Sequence, residues 1–337
     1  MLKAPKARII GTGSYLPERI LTNQELESMV NTSDEWIVTR TGMKERRIAR
    51  EDEYTSDMAF QASLRALEAS NIAPNELDLI LCATLTSDYI FPSTACLLQA
   101  KLKAEHAAAM DVQAACTGYV YCLSQAKAYI DSGMYKNILI VASEKLSSII
   151  DYTDRNTCIL FGDGAAACIV SDRGSGLVVR DVTLGADGEG AEFVILPAGG
   201  SRRPASVESV SERQHYLKME GKEVFKHAVR RMEAASKTCL ERVGLAESDI
   251  NWLIPHQANI RIIEAIAKRF NVPMEKVFMT IHKYGNTSAS SIGIALDELI
   301  KGSDLKTGDN LLLFAFGAGL TWGASVLTYA KEELESR

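Results

Sequence analysis

The feature that most limits what this chain can fold into is that its second half repeats its first. Asn71–Leu81, NIAPNELDLIL, resembles Gly244–Ile254, GLAESDINWLI, each reading as a helix end, an acidic turn and an apolar strand. Asn137–Ala142, NILIVA, matches Asn310–Ala315, NLLLFA, and both pairs lie 173 positions apart (244 − 71 and 310 − 137). A shift that stays constant over such a distance marks a duplication. In each half an amphipathic helix, an apolar strand, a long connection, a helix and an apolar strand follow in turn, the alternation of an α/β sheet covered on both faces. Two similar α/β halves are therefore expected, residues 1–180 and 181–337. With 337 residues, 47% of them hydrophobic, the chain is long enough to bury a large core around them.

Local signals agree with this plan. Thr22–Glu25 and Thr32–Glu35 both have the spacing of a capping box, which predicts two short helices starting there. A helix after Cys116 would carry Tyr119, Leu123, Ala126 and Ile130 on one face and stop near Gly133. Residues 185–218, rich in glycine and ending in the polar run SRRPASVESVSERQH, read as strands or loops with a solvated surface excursion.

Charge and composition exclude several classes of function. A net charge of −6 with no lysine or arginine run offers no field for a phosphate backbone, so nucleic acid is not an expected partner. No apolar run reaches the roughly 18 residues of a membrane span, and MLKAPKARII lacks a signal-peptide core, which predicts a cytoplasmic protein without membrane association. Seven cysteines, an odd number without a CxxC pair, point to reduced thiols. The histidines at 106, 215, 227, 256 and 282 show no ligand spacing, so no metal is expected.

Three segments stand out for chemistry: Asp111–Val120 (DVQAACTGYV), Pro255–Arg261 (PHQANIR) and Tyr284–Ser290 (YGNTSAS). Each is read as ending a strand of the repeat, and α/β sheets bind ligands at the C-terminal ends of their strands, so the three should meet in space. A thiol at the helix start, as at Cys116, feels unpaired N–H groups and the positive end of the dipole, which favour thiolate. The local sequence fits a small buried hydrophobe equally well, as it does for Cys82, Cys96, Cys122, Cys158, Cys168 and Cys239. His256 closes an apolar strand and is either a structural imidazole or a site residue. Asn286, between Gly285 and small hydroxyl residues, is either a turn residue or a ligand contact. The glycine-rich turn Phe316–Gly323 could present backbone N–H groups to an oxyanion, and neither GxGxxG nor GxxxxGK[ST] occurs to suggest a nucleotide site.

Taken together these segments resemble the thiolase-fold condensing enzymes, and among them the β-ketoacyl-acyl carrier protein synthase III family. The resemblance runs from Gly11–Pro17 (GTGSYLP) and Thr32–Gly42 (TSDEWIVTRTG) through Phe161–Gly164 (FGDG), His256–Asn259 (HQAN) and Tyr284–Ser288 (YGNTS) to the glycine-rich turn. It implies a thiolase-like fold, two duplicated α/β halves in an αβαβα arrangement of layers. It implies that Cys116 is the acylated nucleophile, that His256 and Asn286 bind the carbonyl of a malonyl thioester, and that the N–H groups of Cys116 and Ala318 form an oxyanion hole. Many relatives have glycine at the position of Ala318. The family pattern further maps CoA binding onto Thr32, Trp36, Arg40, Arg155, Gly221, Phe225 and Asn259. It assigns carrier-protein docking to Arg261 and the lining of a partner subunit's acyl pocket to Phe91. The implied activity is condensation of an acyl-CoA, most simply acetyl-CoA, with malonyl-acyl carrier protein by a homodimer, with acyl-CoA as a substrate and no cofactor. A relative priming polyketide or signal-molecule synthesis, and a non-catalytic carrier-protein-binding paralogue, are the alternatives. Chain-length preference is not legible.

Overall fold

A computed structural model of the chain describes residues 6–331. In the first half, strands β1 (Arg8–Tyr15), β2 (Leu79–Ala83), β3 (Ala108–Val112), β4 (Asn137–Glu144) and β5 (Gly164–Ser171) alternate with helices α1 (Thr55–Ser70), α2 (Thr94–Leu102) and α3 (Gly118–Ser132). In the second, β6 (Gly176–Ala186), β7 (Ile250–Pro255), β8 (Asn310–Gly317) and β9 (Thr321–Ala330) alternate with α4 (Gly221–Val243), α5 (Ile260–Arg269) and α6 (Ser290–Gly302). Their order in space is β7-β8-β9-β6-β1-β5-β4-β2-β3.

The duplication is visible in the pairing. β1 and β4 run antiparallel to β5, and β2 runs parallel to β4. Likewise β6 and β8 run antiparallel to β9, and β7 runs parallel to β8. In the nine-stranded sheet the halves meet edge to edge where Arg8 and Ile9 face Val178 and Leu177. β3, parallel to β2, is an addition of the first half. The division expected near residue 180 falls inside β6, which runs unbroken from Gly176.

Side-chain alternation assigns the layers. Leu79, Leu81, Ile138 and Ile140 of one half, with Leu311 and Leu313 of the other, pack on α3 and α6 in a shared central layer. Ile80, Leu139 and Val141 turn outward beneath α1 and α2, while Leu312, Phe314 and Phe316 turn outward beneath α4 and α5. The result is an αβαβα stack. Each buried leucine or isoleucine contributes roughly 1.5–3 kcal/mol, and a one-residue slip would move every one of them to the wrong layer. The register is therefore strongly specified.

Two local expectations change. The helix Asn23–Met29 has the capping box at Thr22, but the helix Asp34–Thr41 is capped by Ser33, whose hydroxyl accepts from Trp36 N–H, and not by Thr32. The 185–218 excursion is anchored: Val194–Ile195 pairs with Lys218–Met219, and Arg213 Nε donates to Asp151 at 2.7 Å. It is most continuously solvated at its tip, around the helix Val207–Ser211. Among the described residues no helix is long and apolar enough to cross a membrane.

Candidate active site

β3 ends at Val112, and a tight 3₁₀ turn, Ala115–Thr117, leads into α3. Ala115 adopts φ +46°, a sparse region for a residue with a Cβ. Its counterpart 173 positions on, Ser288, adopts φ +54° just ahead of α6, so the duplication extends to the backbone that builds the site. The turn is tied to the glycine-rich segment opposite: Thr321 Oγ1 lies 3.0 Å from the Ala114 carbonyl and 3.1 Å from that of Ala318. A Cβ on Gly317 would meet the Cys116 nitrogen at 2.8 Å, which explains the glycine there.

Cys116, half-buried, shares a cavity of about 540 Å³ with His256, Asn286, Ser288 and Gly317–Gly319. Burial pushes its thiol up to about 12; the Ser288 hydroxyl and the Cys116 amide act downward, and the Glu144 carboxyl acts upward. The sequence argument from the helix end predicts an eased ionisation, but desolvation outweighs it. At neutral pH the thiol is therefore protonated.

His256 follows β7 and is buried, its N–H donating to the Phe314 carbonyl at 2.8 Å. Burial lowers it to about 4, so at neutral pH the ring is uncharged. Its Nδ1 lies 2.7 Å from Ser291 Oγ, which also accepts from Gln257 N–H at 3.2 Å. The Ser291 hydroxyl, with one donor and two acceptor lone pairs, can pair with Nδ1 in either tautomer, and where it donates to Nδ1 the ring hydrogen lies on Nε2. Gln257 fixes the loop, its Oε1 accepting from Thr280 and Ile281 N–H at 2.9 and 3.1 Å.

Asn286 does not end a strand, as the sequence suggested. It follows the short helix Ile281–Tyr284 and is clamped by the FGDG segment: its N–H donates to Leu160 O, and Gly162 N–H donates to its carbonyl. Gly285 makes the bend at φ +64°, where a Cβ would meet the Leu160 oxygen at 2.8 Å. Asn286 Oδ1 accepts from Ser288 N–H at 2.8 Å, so Nδ2 remains as the donor. The cavity thus holds a thiol, an uncharged imidazole and a carboxamide oriented to offer an N–H.

Of the remaining expected residues, Gly221, Phe225, Asn259 and Ala318 line this cavity. Thr32, Trp36, Arg40, Arg155 and Arg261 lie outside its lining. The Trp36 ring is covered by Arg155 at 5.1 Å and Arg40 at 5.8 Å, with Arg155 Nη1 on the Asn31 carbonyl, so no gap separates Trp36 from Arg155. Arg261 is exposed in the first turn of α5, where Asn259 Oδ1 caps its N–H. Phe91 is 84% exposed, beside exposed Tyr89 and Ile90. The 185–218 excursion supplies Ala191, Val194, Ile195, Leu196 and Leu217 to the cavity wall, a role its polar sequence hid. Sequence reasoning also missed Ser291, Ser288, Thr321 and the buried Glu144. Only Ser288 had a signal, its place opposite Ala115 in the repeat. All seven cysteines are unpaired, and no metal-holding cluster of His, Cys, Asp or Glu occurs among the described residues.

Residues 110–188 match the family model 3-oxoacyl-[acyl-carrier-protein] synthase III, and residues 240–329 match the model of its C-terminal part. The β-ketoacyl-[acyl-carrier-protein] synthase III of Chlamydia caviae is 58% identical over 96% of this chain and 97% of its own. The crystal structure of 3-oxoacyl-[acyl-carrier-protein] synthase III from Aquifex aeolicus superposes with a TM-score of 0.87 at 49% identity, over 96% of this chain and all of that one. The priming β-ketosynthase of the R1128 polyketide pathway reaches the same TM-score at 35% identity, over 97% of both chains.

Proposed function

Because the chain belongs to the β-ketoacyl-acyl carrier protein synthase III family, acyl-transferring enzymes of the condensation that initiates fatty acid synthesis, we propose that Cys116 is the residue its acyl group passes through. An acyl group leaves CoA for Cys116. A malonyl thioester on the carrier protein then loses CO₂, and its enolate attacks the acyl-Cys116 carbonyl to give 3-oxoacyl-carrier protein.

The observation that carries this reading is the orientation of His256 and Asn286. Ser291 holds Nδ1 of one and Ser288 N–H holds Oδ1 of the other, so two uncharged donors are left for one oxygen. An enolate oxygen needs such a pair, already oriented before charge develops; one such donor is worth about 10²–10³ in rate. The second oxyanion, on the acyl carbon, is assigned to the N–H groups of Cys116 and Ala318. Decarboxylation drives carbon–carbon bond formation, so the reading calls for no cofactor.

CoA enters past Gly221, Phe225 and Asn259, with Arg155 swinging off Trp36 to admit the base and Arg40 beside it; Thr32 lies on the same segment. Arg261 receives the acidic carrier protein. Homodimerisation is supported by the exposed apolar Tyr89–Phe91 loop, a patch of the kind that marks an interface. Asp111 accepts from Thr94 and Ala95 N–H at 2.8 Å, which anchors this loop five residues from Cys116. A cytoplasmic location completes the reading. Acetyl is the simplest primer, and the likeness to a polyketide priming synthase makes primer choice the open variable.

The test is incubation with a panel of acyl-CoAs, read by intact mass for acyl-Cys116, followed by malonyl-acyl carrier protein. Transfer of acetyl and its loss in Cys116→Ala are expected. Failure of acetyl transfer with efficient transfer of another primer would favour the polyketide-type role, and undiminished condensation by Cys116→Ala would remove the mechanism.

A further inference from the structure

Glu144, at the end of β4, has no part in the chemistry above, yet it is a fully buried carboxyl group beside the reacting sulfur. Its Oε2 accepts from Thr86 Oγ1 at 2.8 Å, Leu85 N–H at 3.2 Å and Thr84 Oγ1 at 3.4 Å. Its Oε1 is buried without a partner, as is the Ser288 hydroxyl. Ser288 is near enough to both the Cys116 thiol and the Glu144 carboxyl to lower the pKa of each, but completes a hydrogen bond to neither. The hydroxyl shares the cavity wall with Cys116 and with Leu85, whose N–H holds the Glu144 carboxyl. The other titratable groups facing Glu144 are thiols, Cys116 from the turn before α3 and Cys82 from β2. The neighbouring Lys145 turns away, its Nζ donating to the Arg50 and Glu51 carbonyls.

The acceptor for the Cys116 proton is otherwise unassigned. In the tautomer that offers an N–H to the enolate, His256 carries its hydrogen on Nε2 and its Nδ1 is held by Ser291, so neither nitrogen takes it. Resting on the reading of Cys116 as acyl acceptor, we propose that Glu144 holds the Cys116 proton between the two half-reactions, passing it through the Ser288 hydroxyl.

During acylation the S–H bond breaks, Ser288 Oγ gains that proton and gives its own to Glu144 Oε1, and sulfur bonds to the acyl carbon. The C–S bond to CoA breaks, and the CoA thiolate takes a proton from solvent. During condensation the enolate carbon bonds to the acyl carbon and the bond to Cys116 breaks. Glu144 then returns the proton through Ser288 to the sulfur. One solvent proton is consumed per turnover, which balances the loss of the malonyl carboxylate as CO₂. Burial pushes Glu144 up to about 7, against the pull of its hydrogen bonds from Thr86, Leu85 and Thr84 and of the nearby Ser288 hydroxyl, so it can take and release a proton near neutrality.

The experiment is rapid-quench intact-mass measurement of acyl-Cys116 from acetyl-CoA alone, from about pH 5.5 to about 8.5, beside malonyl-thioester decarboxylation as a second reading. The wild-type acylation rate should rise with a single ionisation near 7. In Glu144→Gln the ratio of acylation to decarboxylation should fall about 10²-fold and lose that pH dependence. Ser288→Gly, compatible with the positive φ there, should do the same and serves if the first variant does not fold. As a mere negative charge Glu144 raises the thiol pKa, so its removal would speed acylation; that result overturns the relay. A flat wild-type profile overturns it too, as does an equal, pH-independent loss of both reactions in the variants. Absence of wild-type acylation at Cys116 overturns the functional reading beneath it.

Discussion

Asn286→Asp tests the two-donor reading with almost no change of shape. Aspartate is isosteric, and its Oδ1 can still accept the Ser288 N–H that asparagine holds at 2.8 Å, so the side chain should keep its orientation. The atom that changes is the one facing the cavity, Nδ2, which becomes an oxygen without a hydrogen. Loss of one preorganised donor to an oxyanion costs about 10²–10³ in rate, or about 2.7–4 kcal/mol, before repulsion between carboxylate and enolate is added. At pH 8 malonyl decarboxylation should therefore fall at least about 10²-fold. Acylation of Cys116 by acetyl-CoA, which does not use this donor, should stay within about threefold on the same argument. Asn286 is only 6% exposed, so desolvation will raise the new carboxyl above the usual aspartate range of about 4. As pH falls through that raised value the protonated acid regains an O–H to donate, and decarboxylation should recover while the wild type shows no such rise. CO₂ release from a malonyl thioester, followed against pH, measures both effects. A variant that decarboxylates at wild-type rate at pH 8 would refute the role given to the carboxamide.

Arg155→Ala should raise KM for acyl-CoA roughly tenfold with little change in kcat, the loss of one charge-assisted contact outside the reacting centre; a kcat effect without a KM effect would place Arg155 elsewhere in the mechanism. Gly13→Ala would drive a Cβ to 2.5 Å from the Ala62 carbonyl oxygen where β1 crosses α1, and should cost about 1–3 kcal/mol by urea denaturation at unchanged m-value. Two buried groups should impose opposite pH slopes on stability. His256, lowered from 6.5 to about 4 by burial, lets the unfolded chain bind the extra proton between those values, so its contribution is lost as pH falls. Glu144, raised from 4.5 to about 7 mainly by burial, lets the folded chain keep the extra proton, so its contribution is lost as pH rises. Each amounts to roughly 3 kcal/mol over its window, and where the windows overlap they cancel; denaturation of His256→Gln should expose the falling slope and Glu144→Gln the rising one.

The architecture was legible because it is written in long-period signals. A 173-residue shift carries the strand pair Asn137–Glu144 and Asn310–Gly317 into register, and alternating leucines and isoleucines assign the layers. Cys116 and His256 were marked by their place at element ends. What stayed hidden is the support around them, for a physical reason. Ser291 reaches His256 across 35 positions, and Thr86 reaches Glu144 across 58, so these hydrogen bonds exist only once the sheet is assembled. A serine inside a helical run carries no periodic signature. The Thr32 cap failed by one residue because Thr32 and Ser33 are both competent, and only the backbone decides which hydroxyl reaches Trp36 N–H. Asn286 was misplaced because small hydroxyl residues after a glycine look alike whether a strand or a helical turn precedes them.

The duplication also bears on how the proposed mechanism places a single acyl acceptor in a nearly symmetric frame. Ala115 and Ser288 are equivalent positions that both take a positive φ, and each leads into a central-layer helix, α3 or α6. Both turns line the same cavity, so two helix N-termini, each with the positive end of its dipole, face the volume where enolate and tetrahedral oxygens gain charge. The residue that follows breaks the symmetry. It is Cys116 in one copy and Ala289 in the other, so one helix start presents a sulfur and the other a methyl group. The second copy instead contributes polar side chains at Asn286, Ser288 and Ser291. On the proposed mechanism a thiol there would give two acyl acceptors competing for one pair of donors; with alanine at 289, that helix start is left to hold and orient the groups assigned to the malonyl unit.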